Sequence, residues 1–376
     1  MASRSPRRLQ HDSAVLPADG RRQNLSLVLQ ALYTGGAMSR ADLARRLQLT
    51  KVTVSDLVAA LIERGQAVEL GQSDVVRPGK PATLVDVNRT GLHVVGVDLT
   101  AHEVIRAAVL DLDGNVLHRC ERALGGSSTG DDVLADVLAL VTEAVGLATE
   151  PLLGVGVGTP GVVGPDGDVL TAPNLGWTDV PLRALLAEAT GLPVLVCNDA
   201  DAAVHAEYTL GDGGDDLILV KIGLGVGCGL IVAGRRVRGA HFAAGEIGHV
   251  TVGTDGGELC SCGNVGCLET WLSAPRLQKA LADSGTDTEG PLRAAGERLA
   301  IALAPVVAAL DLSEVVLAGP HELVDGSLLR AVDETLRRRM LARNASTLEV
   351  RVAADADDIV LRGAAVLVLW DQWGVA

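Results

Sequence analysis

Two stretches of this 376-residue sequence repeat one pattern, in which an apolar strand runs into a glycine-rich turn. The first is LLGVGVGTPGVV, residues 152–163, and the second is LILVKIGLGVGCGLIVAGRRVRG, residues 217–239. Around them, the spacing of the apolar residues predicts strands and helices in the order β-β-β-α-β-α, twice over. A duplicated order of this kind predicts an α/β domain with two similar lobes and a cleft between them.

This order is the layout of the two-lobed fold of actin, hexokinase and the Hsp70 ATPase, a ribonuclease H-like architecture. We expect the domain to occupy residues 91–376. Lobe I is predicted at about 91–200 together with a C-terminal helix at about 359–376, and lobe II at about 201–358. The chain is 48% hydrophobic and 21% charged, which is typical of a soluble globular protein with a sizeable core.

The chain ahead of this domain carries the opposite charge. Residues 1–90 contain 13 Lys+Arg against 8 Asp+Glu, a net of +5, and residues 91–376 contain 19 against 39, a net of −20; together they give the −15 of the whole chain. A basic amino-terminal segment ahead of an acidic domain indicates that nucleic acid binds at one end only. Residues 1–20 are predicted to form a disordered tail.

Residues 21–88 have the pattern of a winged helix-turn-helix. Helices are predicted within residues 24–36, 39–49 and 50–65, and two strands follow them around a polar tip. The residues predicted to contact DNA lie at the end of the second helix, on the polar side of the third helix and at the wing tip: Arg45, Arg46, Lys51, Thr53, Ser55, Arg77 and Lys80. The alternative is a helical protein-interaction module with a solvated charged face.

Three cysteines and a histidine have the spacing of a metal site. His249, Cys260, Cys262 and Cys267 are separated by ten, one and four residues, and Gly263 lets the chain turn tightly between the last two. One histidine and three thiolates form a closed tetrahedral shell, which predicts a structural zinc ion. The alternatives are core cysteines beside a free histidine, or a disulfide.

Several segments resemble the ROK family of repressors, open reading frames and kinases. LGVGCGLIVAGRRVRG, AAGEIGHV and CSCGNVGCLE lie in the order of the family signature, and GTPGVV, APNLGWTDVPL and CNDADAA match its sugar-side segments. The resemblance spans essentially the whole chain, because the repressor branch also carries an N-terminal winged helix. It implies a sugar site formed by Gly161, Asn174, Asn198, Asp199, Glu246, His249 and Glu269.

Asp199 matches the aspartate that acts as general base in ROK kinases, so it is the catalytic candidate if the chain is a kinase. The alternative for Asn198 and Asp199 is a helix cap, a position that both residue types favour. Trp177 and Trp271 flank the predicted site and either stack on a sugar ring or belong to the core.

The nucleotide side departs from the kinase pattern. The kinase turn with its glycine is replaced by Asp98-Leu99-Thr100-Ala101-His102-Glu103, which has no glycine and ends on an acid. Leu224 stands where kinases have threonine, and Ala318-Gly319-Pro320 replaces a Gly-Gly pair. These changes indicate a protein that binds its ligand without phosphoryl transfer, and hence not an enzyme.

Together these features predict a sugar-responsive transcriptional regulator, a repressor of carbohydrate uptake or catabolism genes. Its expected partners are a double-stranded DNA operator, a monosaccharide or sugar-phosphate effector, and a second copy of itself in a homodimer or dimer of dimers. One alternative is an ATP-dependent sugar kinase that retains a DNA-binding head. Another is a dimerisation scaffold with no ligand.

The sequence carries no signal of membrane association. Its longest apolar run, LAIALAPVVAAL, is shorter than the roughly 20 residues that a bilayer requires, and the start of the chain lacks the apolar region of a signal peptide. We therefore expect a cytoplasmic protein, in which cysteines serve as metal ligands or core thiols more often than as disulfides.

Overall fold

A computed structural model describes residues 17–72, 82–100, 104–125, 130–252 and 256–374. The chain divides into two compact units. One runs to Asn88 and includes Trp373, and the other is Arg89–Gln372. None of the helices in the described ranges combines the length and the apolarity that crossing a bilayer requires.

The amino-terminal unit has three helices and a three-stranded antiparallel sheet. Its elements in chain order are α1 (Pro17–Gly35), β1 (Met38–Ser39), α2 (Arg40–Leu47), α3 (Lys51–Glu63), β2 (Ala67–Gln72) and β3 (Thr83–Val87). The strands lie in the order β1-β3-β2. Because α1 begins at Pro17, residues 17–20 are helical, which corrects the expectation that the tail extends to residue 20.

Short polar side chains determine where the second and third helices begin. The hydroxyl of Ser39 accepts the N–H of Asp42, and the hydroxyl of Thr50 accepts the N–H of Thr53. Each satisfies one of the backbone donors that a helix start leaves free. Apolar positions at helical spacing then face one core, which includes Leu32, Leu43, Val54, Leu57 and Leu61.

The first half of the larger unit contains a five-stranded mixed sheet. Its elements are β4 (His93–Asp98), β5 (Val104–Leu110), β6 (Val116–Ala123), α4 (Gly130–Gly146), β7 (Leu152–Thr159), β8 (Val162–Val163), β9 (Val169–Ala172), β10 (Trp177–Val180), α5 (Leu182–Thr190), β11 (Val194–Asn198) and α6 (Asp199–Leu210). The sheet order is β11-β7-β4-β5-β6, in which β4, β7 and β11 are parallel and β5 and β6 antiparallel. The short strands β8, β9 and β10 form a separate antiparallel sheet.

The second half repeats this arrangement. Its elements are β12 (Leu217–Ile222), β13 (Val226–Val232), β14 (Arg235–Arg236), α7 (Glu269–Leu272), α8 (Ala274–Asp283), α9 (Gly290–Leu310), β15 (Glu314–Ala318), α10 (His321–Val324), α11 (Ser327–Arg339), α12 (Ala342–Thr347), β16 (Glu349–Val352) and α13 (Ile359–Trp373). The sheet order β14-β13-β12-β15-β16 has the same antiparallel meander and the same parallel strands as the first sheet. The predicted duplication is therefore present.

Helices α6 and α13 form the layer between the two sheets, and glycine allows their close approach. A Cβ atom at Gly156 on β7 would lie 1.8 Å from the carbonyl oxygen of Ala364 on α13. A Cβ atom at Gly363 on α13 would lie 1.7 Å from the carbonyl oxygen of Ala202 on α6. Any larger residue at either position would separate these backbones. The helix α13 therefore packs on the first sheet, as expected for the C-terminal helix.

Candidate functional site

Four side chains with metal-binding atoms meet beside the second sheet. The ligand atoms of His249, Cys260, Cys262 and Cys267 all lie within 4.8 Å of one another. Sγ of Cys260 is 3.6 Å from Nδ1 of His249, and Sγ of Cys262 is 3.6 Å from Sγ of Cys267. Donors bound to a tetrahedral zinc ion at about 2.0–2.3 Å lie roughly 3.5–3.8 Å apart, so these separations fit zinc.

The structure matches neither of the alternatives for this cluster, a disulfide or core cysteines beside a free histidine. All three cysteines are free thiols, which excludes the disulfide here. His249 is not isolated, since its Nδ1 faces a thiol. The four donors are one nitrogen and three sulfurs, the set of a closed structural zinc site with no open position.

Tight backbone turns bring the three thiols together. The N–H of Cys260 donates to the carbonyl of Asn264, and the N–H of Gly263 donates to the carbonyl of Cys260. Gly263 has φ +92°, which only glycine adopts readily. The N–H of Leu268 donates to the carbonyl of Val250 at 2.9 Å, which holds the cysteine loop against the segment that carries the histidine.

The seven residues predicted for the sugar site all line one cavity of about 440 Å³. They come from four parts of the chain that the fold brings together: the turn after β7, the segment between β9 and β10, the junction of β11 and α6, and the metal-bearing loops. They are Gly161, Asn174, Asn198, Asp199, Glu246, His249 and Glu269.

Asn198 holds the backbone of the cavity rather than only facing it. Its Oδ1 accepts the N–H groups of Ala200 and Asp201 at 2.8 and 3.3 Å, so it caps helix α6. Its Nδ2 donates to the carbonyl of Gly161 at 2.9 Å. The helix-cap alternative therefore holds for Asn198, and the same amide positions the turn that carries Gly161.

Asp199 forms an ion pair with a lysine that the sequence did not single out. Nζ of Lys221 lies 2.9 Å from Oδ2 of Asp199, and both side chains are mostly buried. Burial alone lowers the pKa of Lys221, but the nearby carboxylates of Asp199 and Asp98 outweigh it, so the net pKa is raised. The signal in the sequence was a lone charge inside the apolar strand LILVKI.

Each of the two glutamates of the site lies close to one residue of the metal cluster. Nε2 of His249 is 3.8 Å from Oε2 of Glu246, on the opposite edge of the ring from the thiols. Burial raises the pKa of Glu246; His249 opposes the shift, and the charges of Asp199 and Glu269 add to it. Oε2 of Glu269 accepts the N–H of Val226 at 3.2 Å, and its Oε1 is 3.7 Å from Sγ of Cys260.

The two flanking tryptophans do not line the cavity. Trp177 is 2% exposed and its indole N–H donates to the carbonyl of Gly130 at 2.8 Å, so it belongs to the core. Trp271 packs against the apolar core of the second sheet, and the guanidinium of Arg298 lies 4.0 Å from the centre of its ring. The stacking alternative therefore does not hold for either residue in this structure.

A second cavity of about 850 Å³ lies on the predicted nucleotide side. Thr100, Lys221 and Leu224 line both cavities and therefore form the wall between them. Oδ1 of Asp98 accepts both the N–H and the hydroxyl of Thr100, at 2.9 and 2.6 Å, so this carboxylate is engaged in its own turn. Ala101, His102 and Glu103 lie outside the described residues.

The amino-terminal unit presents part of the predicted DNA-binding surface. Arg45, Arg46, Lys51 and Ser55 are exposed, and Arg45 pairs with Asp42. Thr53 is half-buried, and its hydroxyl lies 2.9 Å from that of Thr50 in the helix cap. Arg77 and Lys80 lie outside the described residues.

One residue of this surface was missed. Val52 is 72% exposed in the first turn of α3, beside Lys51. An apolar side chain exposed at the start of the helix that is predicted to meet base edges would suit the methyl group of thymine.

Comparison with known proteins identifies the larger unit. The model of the ROK family matches residues 94–370. The chain belongs to the ROK family. The matched residues include the whole metal cluster and every residue that lines the predicted sugar site.

Among curated ROK proteins, the chain is similar to a putative xylose repressor of Caldicellulosiruptor sp. strain Rt8B.4. The two are 34% identical over 275 residues, which cover 71% of this chain and 68% of the repressor.

Two solved ROK structures share the fold. A ROK family transcriptional regulator described as a homologue of the E. coli MLC protein superposes with a TM-score of 0.82 at 23% identity, and covers 94% of this chain and 97% of that chain. The ROK family glucokinase from Streptomyces griseus, solved with glucose and AMPPNP, superposes with a TM-score of 0.63 at 28% identity over 73% of this chain and 98% of that chain. The predicted two-lobed, hexokinase-like fold is thereby confirmed.

Proposed function

We propose that this protein is a sugar-responsive, DNA-binding transcriptional regulator, a repressor of carbohydrate uptake or catabolism genes. The observation that carries the proposal is the convergence of seven polar or glycine residues on one cavity of a ROK domain. The similar protein of Caldicellulosiruptor is named "Putative xylose repressor", which supports a sugar as effector and repression as the mode of action.

The sugar is held by carboxylates and amides, because a pyranose presents a ring of hydroxyl groups that both donate and accept. Asp199, Glu246 and Glu269 accept from these hydroxyls, and Asn174 supplies both an acceptor and donors. Nε2 of His249 is directed towards Glu246 rather than the thiols, which leaves it available to a hydroxyl.

A structural zinc ion bound by His249, Cys260, Cys262 and Cys267 holds this side of the pocket. Such an ion would stabilise the local fold and would not take part in a reaction, since all four of its coordination positions are taken by the chain. The donor separations fit such an ion. Two pocket residues depend on it: His249 is itself a ligand, and Glu269 lies two residues after Cys267.

The amino-terminal unit binds an operator as a winged helix-turn-helix. Three features support this: the order of its helices and strands, the caps that begin α2 and α3, and the exposed positive charges at their junction. We infer that Arg45 and Arg46 contact phosphates and that Lys51 and Ser55 meet base edges. Two copies of the chain then read two half-sites, as two-fold helix-turn-helix proteins do.

The pocket is proposed to bind sugar without phosphorylating it. A general base takes a proton from the attacking hydroxyl, and Oδ2 of Asp199, the matching carboxylate here, is engaged by Lys221 at 2.9 Å. The lysine also forms part of the wall between the sugar cavity and the cavity on the nucleotide side. Sugar binding then acts by favouring one arrangement of the lobes over another.

A titration tests this function. Purified protein binds an operator selected from random duplex DNA, with and without xylose, glucose, mannose or N-acetylglucosamine. At least one sugar is expected to change the operator dissociation constant by about fivefold or more, as typical coupling energies give. Glu246→Ala should abolish this response, while Glu334→Ala, at an exposed position on α11, should retain it. If no sugar in a broad panel changes operator affinity, the regulatory function is wrong.

The second candidate is an ATP-dependent sugar kinase. The S. griseus ROK glucokinase is 28% identical, and the cavity on the nucleotide side adjoins the sugar cavity. An assay that couples ADP release to a detectable product distinguishes the two. Turnover of any sugar that is lost in Asp199→Asn would establish the kinase, and no turnover is expected for the regulator.

A further inference from the structure

The balance of charge around the sugar cavity selects among possible ligands. We infer that the pocket takes an uncharged monosaccharide and excludes the phosphate esters of the same sugars, an inference that rests on the proposed function. Three carboxylates, those of Asp199, Glu246 and Glu269, line the cavity. Among the described residues that line it, the lysine and arginine side chains are those of Lys221 and Arg276.

Both cations are already paired within the protein. Lys221 is 2.9 Å from Asp199, and Asp98 adds a second negative charge near it. Arg276 forms an ion pair with Glu258. Neither cation therefore provides uncompensated positive charge to an anionic ligand, while Glu246 and Glu269 have no cationic side chain among the described ion pairs other than the histidine beside Glu246.

The metal cluster does not supply positive charge either. A zinc ion carries two positive charges, and the three thiolates of Cys260, Cys262 and Cys267 bring three negative ones. With a neutral His249, the bound cluster has a net charge of about −1. Cys260 lines the cavity, so this negative centre faces the ligand as well.

Several backbone N–H groups of the kind that bind phosphate already donate to the protein itself. Glycine-rich turns and helix starts usually bind phosphate through free N–H groups. Here the N–H of Val226, the first residue of β13, donates to Glu269, and in the turn before it the N–H of Gly223 donates to the carbonyl of Gly225. At the start of α6, the amide of Asn198 already accepts two N–H groups.

A neutral sugar has no charge for the carboxylates and the metal cluster to repel. Its hydroxyls donate to carboxylates that are already desolvated, and charge-assisted hydrogen bonds of this kind are the stronger ones. A phosphate dianion would lose its hydration beside like charges, and the donors left to it, such as the amide of Asn174, are neutral groups. Specificity often rests on such an unfavourable interaction.

Matched pairs of ligands test this inference. The full-length protein is titrated by calorimetry with xylose, glucose, mannose and N-acetylglucosamine, and with the 5- or 6-phosphate of each. For any sugar that binds, the phosphate is expected to bind at least about tenfold more weakly. A phosphate that binds as tightly as its parent sugar, or more tightly, overturns the inference and leaves a sugar-responsive regulator standing. If neither member of any pair binds, the inference falls together with the proposed function.

Two further measurements show whether charge is the cause. Glu246→Gln keeps the shape of the side chain and removes one charge. The ratio of the dissociation constant of the sugar phosphate to that of the parent sugar should therefore fall several-fold. Glu334→Gln, at an exposed position outside the cavity, should leave it unchanged. In the unmodified protein, raising the salt concentration from about 0.05 to 0.5 M should also lower the ratio, because salt screens the repulsion. A ratio that neither change moves would contradict an electrostatic origin.

Discussion

Nζ of Lys221 lies 2.9 Å from Oδ2 of Asp199, in the wall that separates the sugar cavity from the cavity on the nucleotide side. The aspartate begins helix α6 and the lysine lies on strand β12, so the pair joins this helix to the second sheet. It engages one oxygen of the carboxylate that matches the base of the ROK kinases. On the proposed function, this contact accompanies sugar binding without phosphoryl transfer.

Removing the lysine should leave a partly buried carboxylate without its partner. We expect Lys221→Met to lower the free energy of unfolding by about 1–3 kcal/mol, less than for a fully buried pair because the site faces a cavity. Adding Asp199→Asn should recover part of this loss, since no unpaired charge then remains. Urea unfolding of the two single variants and the double variant measures the coupling. Lys279→Met, in an exposed pair on α8, is the control and should leave stability unchanged.

Glu269 should matter for the sugar rather than for the metal. Glu269→Gln weakens the hydrogen bond from the N–H of Val226 and removes one sugar acceptor. The sugar dissociation constant should rise about tenfold, because hydrogen bonds to a charged group contribute about 1.5–3 kcal/mol. Zinc content should stay at that of the unmodified protein. Loss of zinc from this variant would show that the glutamate supports the metal centre instead.

Loss of the metal should impair the pocket before it affects the DNA-binding unit. Cys260→Ala, or removal of zinc by a chelator, should abolish sugar binding while the amino-terminal unit keeps its fold and its affinity for DNA. Elemental analysis, sugar calorimetry and operator binding measure the three properties. Cys120→Ala, at a buried free thiol on β6 of the first sheet, should retain zinc and sugar binding. Sugar binding that survives full loss of zinc would contradict the role assigned to the cluster.

Acid should destabilise the protein through a buried histidine. His205 is 1% exposed, its ring packs 4.1 Å from that of Trp370, and neither ring nitrogen has a hydrogen-bond partner among the described residues. Burial lowers its pKa well below 6.5, and Arg236 and Arg238 add to the shift.

Because the unfolded chain takes up this proton first, the contribution of His205 to stability is complete above about pH 6.5. It should fall by up to about 1.4 kcal/mol per pH unit below that value. The raised pKa of Asp201, about 6 through burial, acts in the opposite direction between its ordinary value and pH 6. The difference in unfolding free energy between the unmodified protein and His205→Leu therefore isolates the contribution of the histidine. Unfolding from pH 5 to 7.5 measures it, and the exposed His118→Leu should show no such difference.

The salt dependence of DNA binding should identify the phosphate contacts. Arg46→Ala should weaken operator binding and reduce the slope of log K against log salt by about one, as expected when one phosphate contact is lost. Val52→Ala should weaken binding to the selected operator more than to random DNA, because it removes a contact with a base. Arg64→Ala, at the far end of α3, is the control. If Arg46→Ala and Arg64→Ala give equal slopes of log K against log salt, Arg46 does not contact a DNA phosphate.

Much of the fold was predictable, because its signals are local. The caps at Ser39 and Thr50 act over three residues, and the two glycine-rich turns mark where each sheet repeats its pattern. The spacing of the metal cluster was equally informative, since Cys260, Cys262 and Cys267 lie within eight residues of one another. The start of α1 at Pro17 was missed, because a polar segment without an apolar stripe gives no periodic signal.

The duplicated strand order, the donor set of the metal cluster and the identity of the polar residues that line the cavity could all be read from the amino-acid sequence. How those residues are used became visible only in three dimensions. Lys221 meets Asp199, Glu269 meets the N–H of Val226, and Trp177 turns into the core, although the paired residues are 22 and 43 positions apart. Hydrogen bonding and charge act over a few ångströms of space, so distant residues interact only after the fold has brought them together and excluded water from between them.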